Sequence, residues 1–378
     1  MSGRVRLRSR YAVVAAGVVL TVLVSGCGGI RPVSRLARVA SGLRLGLFGS
    51  SGASCVRDQN ALDYGWPLLP FNRQHPIRGN FGDPRTISQE RFGVDGVGDP
   101  GDYSFHNGVD ISAKVGSAVY PVVSGTAFVP DKDEVIVRVS SPRRSFLYVH
   151  ILPTVRTGER VVAGRTVLGR VRFPARHVHL TEIDNGQAVN PLLHLRPYQD
   201  HTAPTIEAVG FFDQSGRAKD PIALSGTVSI IARSSDTPPL AVPGAWDNRP
   251  VGPALIRWRL LTARETEVGP VRTPVDFRQT EPPKQDFWHA YASGTYQNFP
   301  VFDHHYYWGQ SGRLRYHLGE LNTDTLQAGS YQIAVSASDI CGNTTTRTIP
   351  IKINHVPTEL AALSRPTQPP TPSPRVVR

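Results

Sequence analysis

Glycine and proline interrupt this chain so often, 35 and 32 times in 378 residues, that no long helical periodicity survives between them. What remains are short runs of β-branched and aromatic residues set between turn-forming positions, which predicts strands joined by turns and a mainly β, antiparallel fold. Such runs are Val119 to Val123, Val135 to Val139, Phe146 to Ile151 and His177 to Ile183, followed later by Ile222 to Ala232, Tyr331 to Ala337 and Ile349 to Ile353. The length suits two domains with a tail at each end.

The formal net charge of +12 would suit an anionic partner. The charge is scattered arginine, however, with Lys114, Lys132, Lys219, Lys284 and Lys352 as the only lysines. No reading helix or RNA-binding motif accompanies it, so no nucleic-acid partner is expected.

The compartment is read from the first 27 residues. Arg4, Arg6, Arg8 and Arg10 form a basic head, Tyr11 to Val24 an apolar run, and Ser25-Gly26-Cys27 a close of small residues. The run is short for a transmembrane helix and has the flanks of a secretory signal. Leu23-Val24-Ser25-Gly26-Cys27 resembles a bacterial lipobox, which implies that Cys27 becomes the first mature residue and carries a lipid into the membrane. A plain signal peptide or an uncleaved anchor is the alternative. Each version puts the rest of the chain in the cell envelope, outside the cytoplasm, in the periplasm or on the outer face of a membrane. Cys55 and Cys341 then remain. Export permits a disulfide, but these two are distant in sequence and fall in different expected domains, so no bridge is expected.

Composition divides the chain further. Residues 1–27 read as the signal, and 28–60, rich in Gly, Ser and Arg, as a flexible tether. Residues 61–200 read as the first β domain and 205–355 as a second. Residues 356–378, rich in Pro, Thr, Ser and Arg, read as a disordered tail. Asp339-Ile340-Cys341-Gly342-Asn343 resembles the closing turn of bacterial immunoglobulin-like sandwiches. The second domain is therefore expected to be an immunoglobulin-like β-sandwich, with a long aromatic-rich insertion from about Pro238 to Thr325.

Three elements bear on chemistry. In His177-Val178-His179-Leu180, strand alternation sends both histidines to one face and the two apolar residues to the other. The pair could supply two metal ligands, or one ligand and one proton-transfer group. His106-Asn107-Gly108-Val109-Asp110 can fold a histidine and a carboxylate back onto one cation through a tight loop. In Phe146 to Ile151, alternation is read with Leu147, Val149 and Ile151 on the core face, and Phe146, Tyr148 and His150 opposite. Each element alone is better explained as ordinary surface or structural residues. Together, two nitrogens and a carboxylate oxygen make the three-ligand set of catalytic zinc, which keeps a fourth position for water and lowers its pKa to about 7. A structural site would fill all four positions, often with cysteine, and no cysteine cluster exists here.

His106-x-x-x-Asp110, the Tyr148-Val149-His150 strand and His177-x-His179 together resemble the lysostaphin-type, or LytM-like, zinc metallopeptidases. Gly108-Val109-Asp110-Ile111, Gly116 to Val119, Gly125, Gly158 to Val162, Gly164 to Gly169 and Asn185 to Pro191 fall where that family has similar residues. The likeness covers about residues 76 to 193. It implies that His106, Asp110 and His179 hold one Zn²⁺ per chain. It also implies that His150 and His177 are the catalytic pair that activates water and steadies the oxyanion. The implied activity is a metalloendopeptidase cutting peptidoglycan stems or cross-bridges. The alternative is a LytM-like regulatory or binding lipoprotein that controls another cell-wall hydrolase; such relatives typically lack ligand residues, and all five positions are present here.

The chain departs from the family in three places. Arg172-Phe173-Pro174-Ala175-Arg176 replaces a Gly/Thr-rich turn, Thr181 stands where an acidic residue is usual with Glu182 one further on, and the connection from Gly125 to Val135 is short. These touch groove walls and substrate preference rather than metal chemistry. Asp303-His304-His305 with Tyr306, Tyr307 and Trp308 is expected to pack on the sandwich, since neighbouring strand histidines point to opposite faces. Trp246, Trp258 and Trp288 are expected in the core. His75, His194, His201, His289, His317 and His355 are given no role. The oligomeric state has no signature in the sequence.

Overall fold

Two histidines on a strand can serve one site only if the strand is held flat between neighbours, and His177–Asp184 is so held. In a computed structural model, which describes residues 55, 62–86, 103–140, 143–299 and 314–354, this strand lies inside an eight-stranded antiparallel sheet. The order is Ile77–Gly79, Val109–Ser112, His177–Asp184, Arg144–Val149, Glu134–Arg138, Gly125–Phe128 and Arg160–Val161, with Gln187–Val189 hairpinned onto the end of His177–Asp184. A three-stranded sheet of Ala118–Val119, Gly169–Val171 and Ile151–Pro153 adjoins it. Val109, Ile111, Val178 and Leu180 are all fully buried, so the apolar half of each alternation faces the core as expected.

The strand Arg144–Val149 corrects one expectation. Phe146 and Tyr148, placed opposite the core from sequence, are fully buried, and Leu147 is only half-buried. The aromatic volumes decide the face: Phe146 packs edge-on against Tyr64 at 5.2 Å, and the Tyr148 hydroxyl accepts from the Val122 N–H at 2.8 Å. His150 escapes that face because it ends the strand at φ +67°, which breaks the alternation.

Beyond residue 204 the chain forms two four-stranded antiparallel sheets. One runs Ala218–Lys219, Thr205–Phe212, Thr227–Ser235, Arg315–Asn322; the other Glu267–Asp276, Leu255–Thr262, Gly329–Ser338, Thr344–Ile353. Val228, Ile230 and Ala232 from the first, with Ile256, Trp258, Ile333 and Val335 from the second, are buried in the shared core. Much of the stretch expected as an insertion is sheet, since Leu255–Thr262, Glu267–Asp276 and Arg315–Asn322 all lie within it. Trp258 is core as expected, donating to the Leu318 carbonyl at 2.6 Å; Trp288 is 44% exposed and Trp246 only half-buried, so those two are not. The Asp303 to Trp308 run, the segment containing Cys27, the tether apart from Cys55, and the tail 356–378 lie outside the described residues. Among the described residues no helix is long and apolar enough to cross a membrane.

Cys55 and Cys341, expected to stay apart, form a disulfide with Cα atoms 4.7 Å apart. Their separation of 286 residues hid the pairing. The chain leaving the first sheet system passes beside the Asp339 to Asn343 turn, where Asn343 Nδ2 donates to the Asp200 carbonyl at 2.9 Å.

Glu182, one residue past the functional face, points into the core at 1% exposure. There it pairs with Arg144, accepts from the Tyr64 hydroxyl at 2.5 Å and meets His194 Nδ1 at 2.9 Å. Removing one partner of a buried ion pair leaves the other charge uncompensated. Glu182→Gln is therefore expected to lower unfolding free energy by about 3 kcal/mol in urea denaturation, while bound-metal content, set on the opposite face, stays unchanged.

Candidate metal centre

Register brings the ligand candidates together. His177–Asp184 pairs antiparallel with Val109–Ser112 so that His179 stands directly opposite Asp110, and His177 opposite Ser112. Directly opposed residues share a sheet face, so Asp110, His177 and His179 all project to the same side. His106 arrives from the preceding loop, which can approach because residue 108 is glycine: a Cβ there would lie 2.3 Å from the Leu180 carbonyl oxygen.

The ligand atoms converge on one carboxylate oxygen. Asp110 Oδ1 lies 3.2 Å from His106 Nε2, 3.1 Å from His179 Nδ1 and 3.4 Å from His177 Nε2. His106 Nε2 and His179 Nδ1 are 2.9 Å apart. The other carboxylate oxygen, Oδ2, is held by Arg85 Nη2 at 2.9 Å. His106, Asp110 and His179 thus form a group whose donor atoms could surround one metal ion.

The far nitrogens are anchored. His106 Nδ1 lies 2.7 Å from the Asn80 carbonyl oxygen, and His179 Nε2 lies 2.7 Å from Thr181 Oγ1. A ring nitrogen that donates to a carbonyl or hydroxyl oxygen fixes the tautomer and turns the opposite lone pair inward, as metal-ligating histidines require. His177 Nδ1 is tied to the Ala175 carbonyl at 2.8 Å, which leaves its Nε2 as an acceptor, 3.4 Å from Arg78 Nη2.

Electrostatics agree with this arrangement. Burial, assisted by the nearby Arg85 guanidinium, pushes His106 down to about 3. Burial, with His177 adjacent, pushes His150 down to about 3, and burial lowers His177. For Asp110 burial opposes ionisation, but the His106 and His177 rings and the Arg85 guanidinium outweigh it and hold the carboxyl well below its usual range. Neutral imidazoles and an ionised carboxylate are the states in which these groups bind metal.

His150 completes the cluster. Its ring sits 4.5 Å from that of His177, and its Nδ1 is buried with no hydrogen-bond partner. All five residues singled out from sequence therefore gather at one place. Sequence reading missed the residues around them. Thr181 drew notice only as a departure from the family, and its anchoring role could have been found by continuing the His177-x-His179 alternation. Arg85 and Arg78 follow no spacing rule, and Asn80 acts through its backbone carbonyl, which has no signature.

No protein-family model and no curated protein matches the chain. Solved structures do. A zinc-containing peptidase from Vibrio cholerae is similar over 34% of this chain and 39% of its own, at 21% identity and a TM-score of 0.26. The catalytic domain of lysostaphin from Staphylococcus simulans matches over 30% of this chain and 86% of its own, at 20% identity and a TM-score of 0.23. Pseudoalterin, an M23 metalloprotease, matches over 42% and 95%, at 19% identity and a TM-score of 0.24. These solved structures are peptidases of the LytM, or M23, type. The chain spans well under two thirds of the first of them.

Thr181→Val keeps shape but removes the hydroxyl that anchors His179. Loss of such an orienting contact is expected to weaken metal binding by about 10–100-fold, measurable by competition with a chromogenic chelator.

Proposed function

We propose that this chain is an exported zinc metalloendopeptidase that hydrolyses peptide bonds in peptidoglycan stems or cross-bridges. One Zn²⁺ per chain would be held by His106, Asp110 and His179. The observation that carries this reading is the meeting of two imidazole nitrogens at Asp110 Oδ1, with both ligand imidazoles anchored on their far nitrogens. The donor set, two nitrogens and one carboxylate oxygen, is that of catalytic rather than structural zinc.

When bound, Zn²⁺ supplies Lewis acidity toward a water and a peptide carbonyl. The histidines supply the proton handling. His177, with Nδ1 engaged by Ala175, offers Nε2 to accept a proton from water. His150, whose ring lies 4.5 Å from that of His177 and whose Nδ1 is buried without a partner, is placed to take that proton from His177 and pass it to the leaving amine. Arg85, by holding Oδ2, leaves Asp110 to present Oδ1 alone.

Peptidoglycan as substrate and export through the first 27 residues come from the motif and signal resemblances. The lipid on Cys27, the division into a peptidase domain (61–200) and a second domain (205–355), and the immunoglobulin-like character of the latter belong to the same proposal.

The test is zinc content together with release of new amino termini from purified peptidoglycan. The native chain is expected to carry one zinc and to cleave; His179→Ala is expected to lose both. His150→Gln is expected to keep its zinc while turnover falls by about 10²–10⁴-fold. Stoichiometric zinc without cleavage would favour a regulator of another hydrolase, and absence of zinc from the native chain would sink the site.

A further inference from the structure

A second group of donor atoms shares no residue with the histidine cluster and has no place in peptide hydrolysis. Asp200 follows the first sheet system, Asp236 follows the strand Thr227–Ser235, and Asp339 follows the strand Gly329–Ser338. All three are buried, at 2%, 4% and 4% exposure, and their carboxylate oxygens lie within 4.8 Å of one another. Oxygens that close can all lie within about 2.8 Å of one point, a small inward shift from the calcium–oxygen range of about 2.3–2.6 Å.

The cluster is uncompensated. Among the described residues no lysine or arginine forms an ion pair with any of the three. Among the described residues their hydrogen bonds come from neutral groups: Thr202 N to Asp200 Oδ1 at 2.9 Å, Thr237 N to Asp236 Oδ1 at 2.9 Å, and Asn343 N and Nδ2 to Asp339 at 2.8 and 2.6 Å. None reaches Oδ2 of Asp200 or Asp236. Burial, reinforced by the neighbouring carboxylates, pushes Asp236 up to about 9. Three buried like charges are costly unless a cation or shared protons neutralise them.

A separate observation points to a ligand. Asp236 and Asp339 line a small cavity together with Tyr198, and the cavity has room for about one water-sized group. Tyr198 is 5% exposed, and its hydroxyl has no hydrogen-bond partner among the described residues. Its hydroxyl feels all three carboxylates, and its pKa is raised well above the usual value, first by burial and then by those charges. A buried tyrosine hydroxyl is normally satisfied. An ion in the cavity, or its attached water, would supply the missing partner.

We propose that Asp200, Asp236 and Asp339 hold a hard divalent cation of the calcium class where the two sheet systems meet. The all-oxygen donor set selects such an ion over zinc, which prefers nitrogen and sulfur. The ion would join the segment leaving the first sheet system to two strand ends of the sandwich.

The test uses the full chain, stripped with a chelator and resupplied with zinc. Calcium at saturation is expected to raise the midpoint of thermal unfolding by about 4 °C or more, and terbium is expected to give sensitised emission saturating at one equivalent. Asp236→Asn keeps the volume and removes a like charge, so it should fold and keep its zinc but lose both responses; Asp200→Asn serves as a second variant. The inference is overturned if the native chain shows neither response or if Asp236→Asn responds like the native chain. It is equally overturned if mild acid stabilises the protein and calcium does not, because the carboxylates then share protons. None of these readouts depends on peptidoglycan cleavage, so the peptidase reading and this one fail separately.

Discussion

Everything at the metal centre depends on one strand register. Asp110 opposes His179 because Val109–Ser112 and His177–Asp184 are paired in that alignment and no other. A slip of one residue would exchange faces along the whole strand, burying His177 and His179 among apolar residues and exposing Val178 and Leu180. Full burial of Val109, Ile111, Val178 and Leu180 is what forbids the slip. The hydrophobic core thus sets the ligand geometry without touching a ligand.

The loop that delivers His106 is held from elsewhere. Asn80, whose carbonyl orients the His106 ring, donates from Nδ2 to the Gly252 carbonyl at 3.2 Å, and its backbone N–H donates to Asp83 at 2.8 Å. Asp83 in turn accepts from the Gly252 N–H at 2.7 Å, and the Tyr291 hydroxyl donates to the Gly82 carbonyl at 2.8 Å. Arg78, beside His177, lies under the Trp246 ring at 4.0 Å, and Asn298 Nδ2 donates to its carbonyl at 3.0 Å. Residues of the 244–298 stretch therefore form the outer support of the site. A truncation that removed them would expose Asn80 and free His106 to turn.

The parts of this arrangement readable in advance were those governed by short-range periodicity. His177 and His179 fall on one face by alternation, and the core positions beside them follow from the same rule. Alternation misled at Phe146 and Tyr148, where aromatic volume chose the buried face, and at His150, where a positive φ ended the strand. Contacts between distant segments had no local trace: the Asn80 carbonyl under His106, Arg85 on Asp110, and the pairing of Cys55 with Cys341. The strands Leu255–Thr262 and Glu267–Asp276 were hidden for a related reason. Their charged and turn-forming residues dilute the apolar pattern, and only the buried half of each, such as Ile256 and Trp258, reports the sheet.

The cystine has a mechanical consequence. Tension on the chain ahead of Cys55 passes through the sulfurs into the turn that closes the strands Gly329–Ser338 and Thr344–Ile353, which pair over their full length. Without that link the same pull would fall first on Tyr64, held through its backbone by His194 and Arg196, and then on Ile77–Gly79, a three-residue edge strand paired on one side only. That strand borders Asp110, with Gly79 opposite it. The disulfide thus diverts load from that border of the histidine cluster to the longest ladder among the described residues.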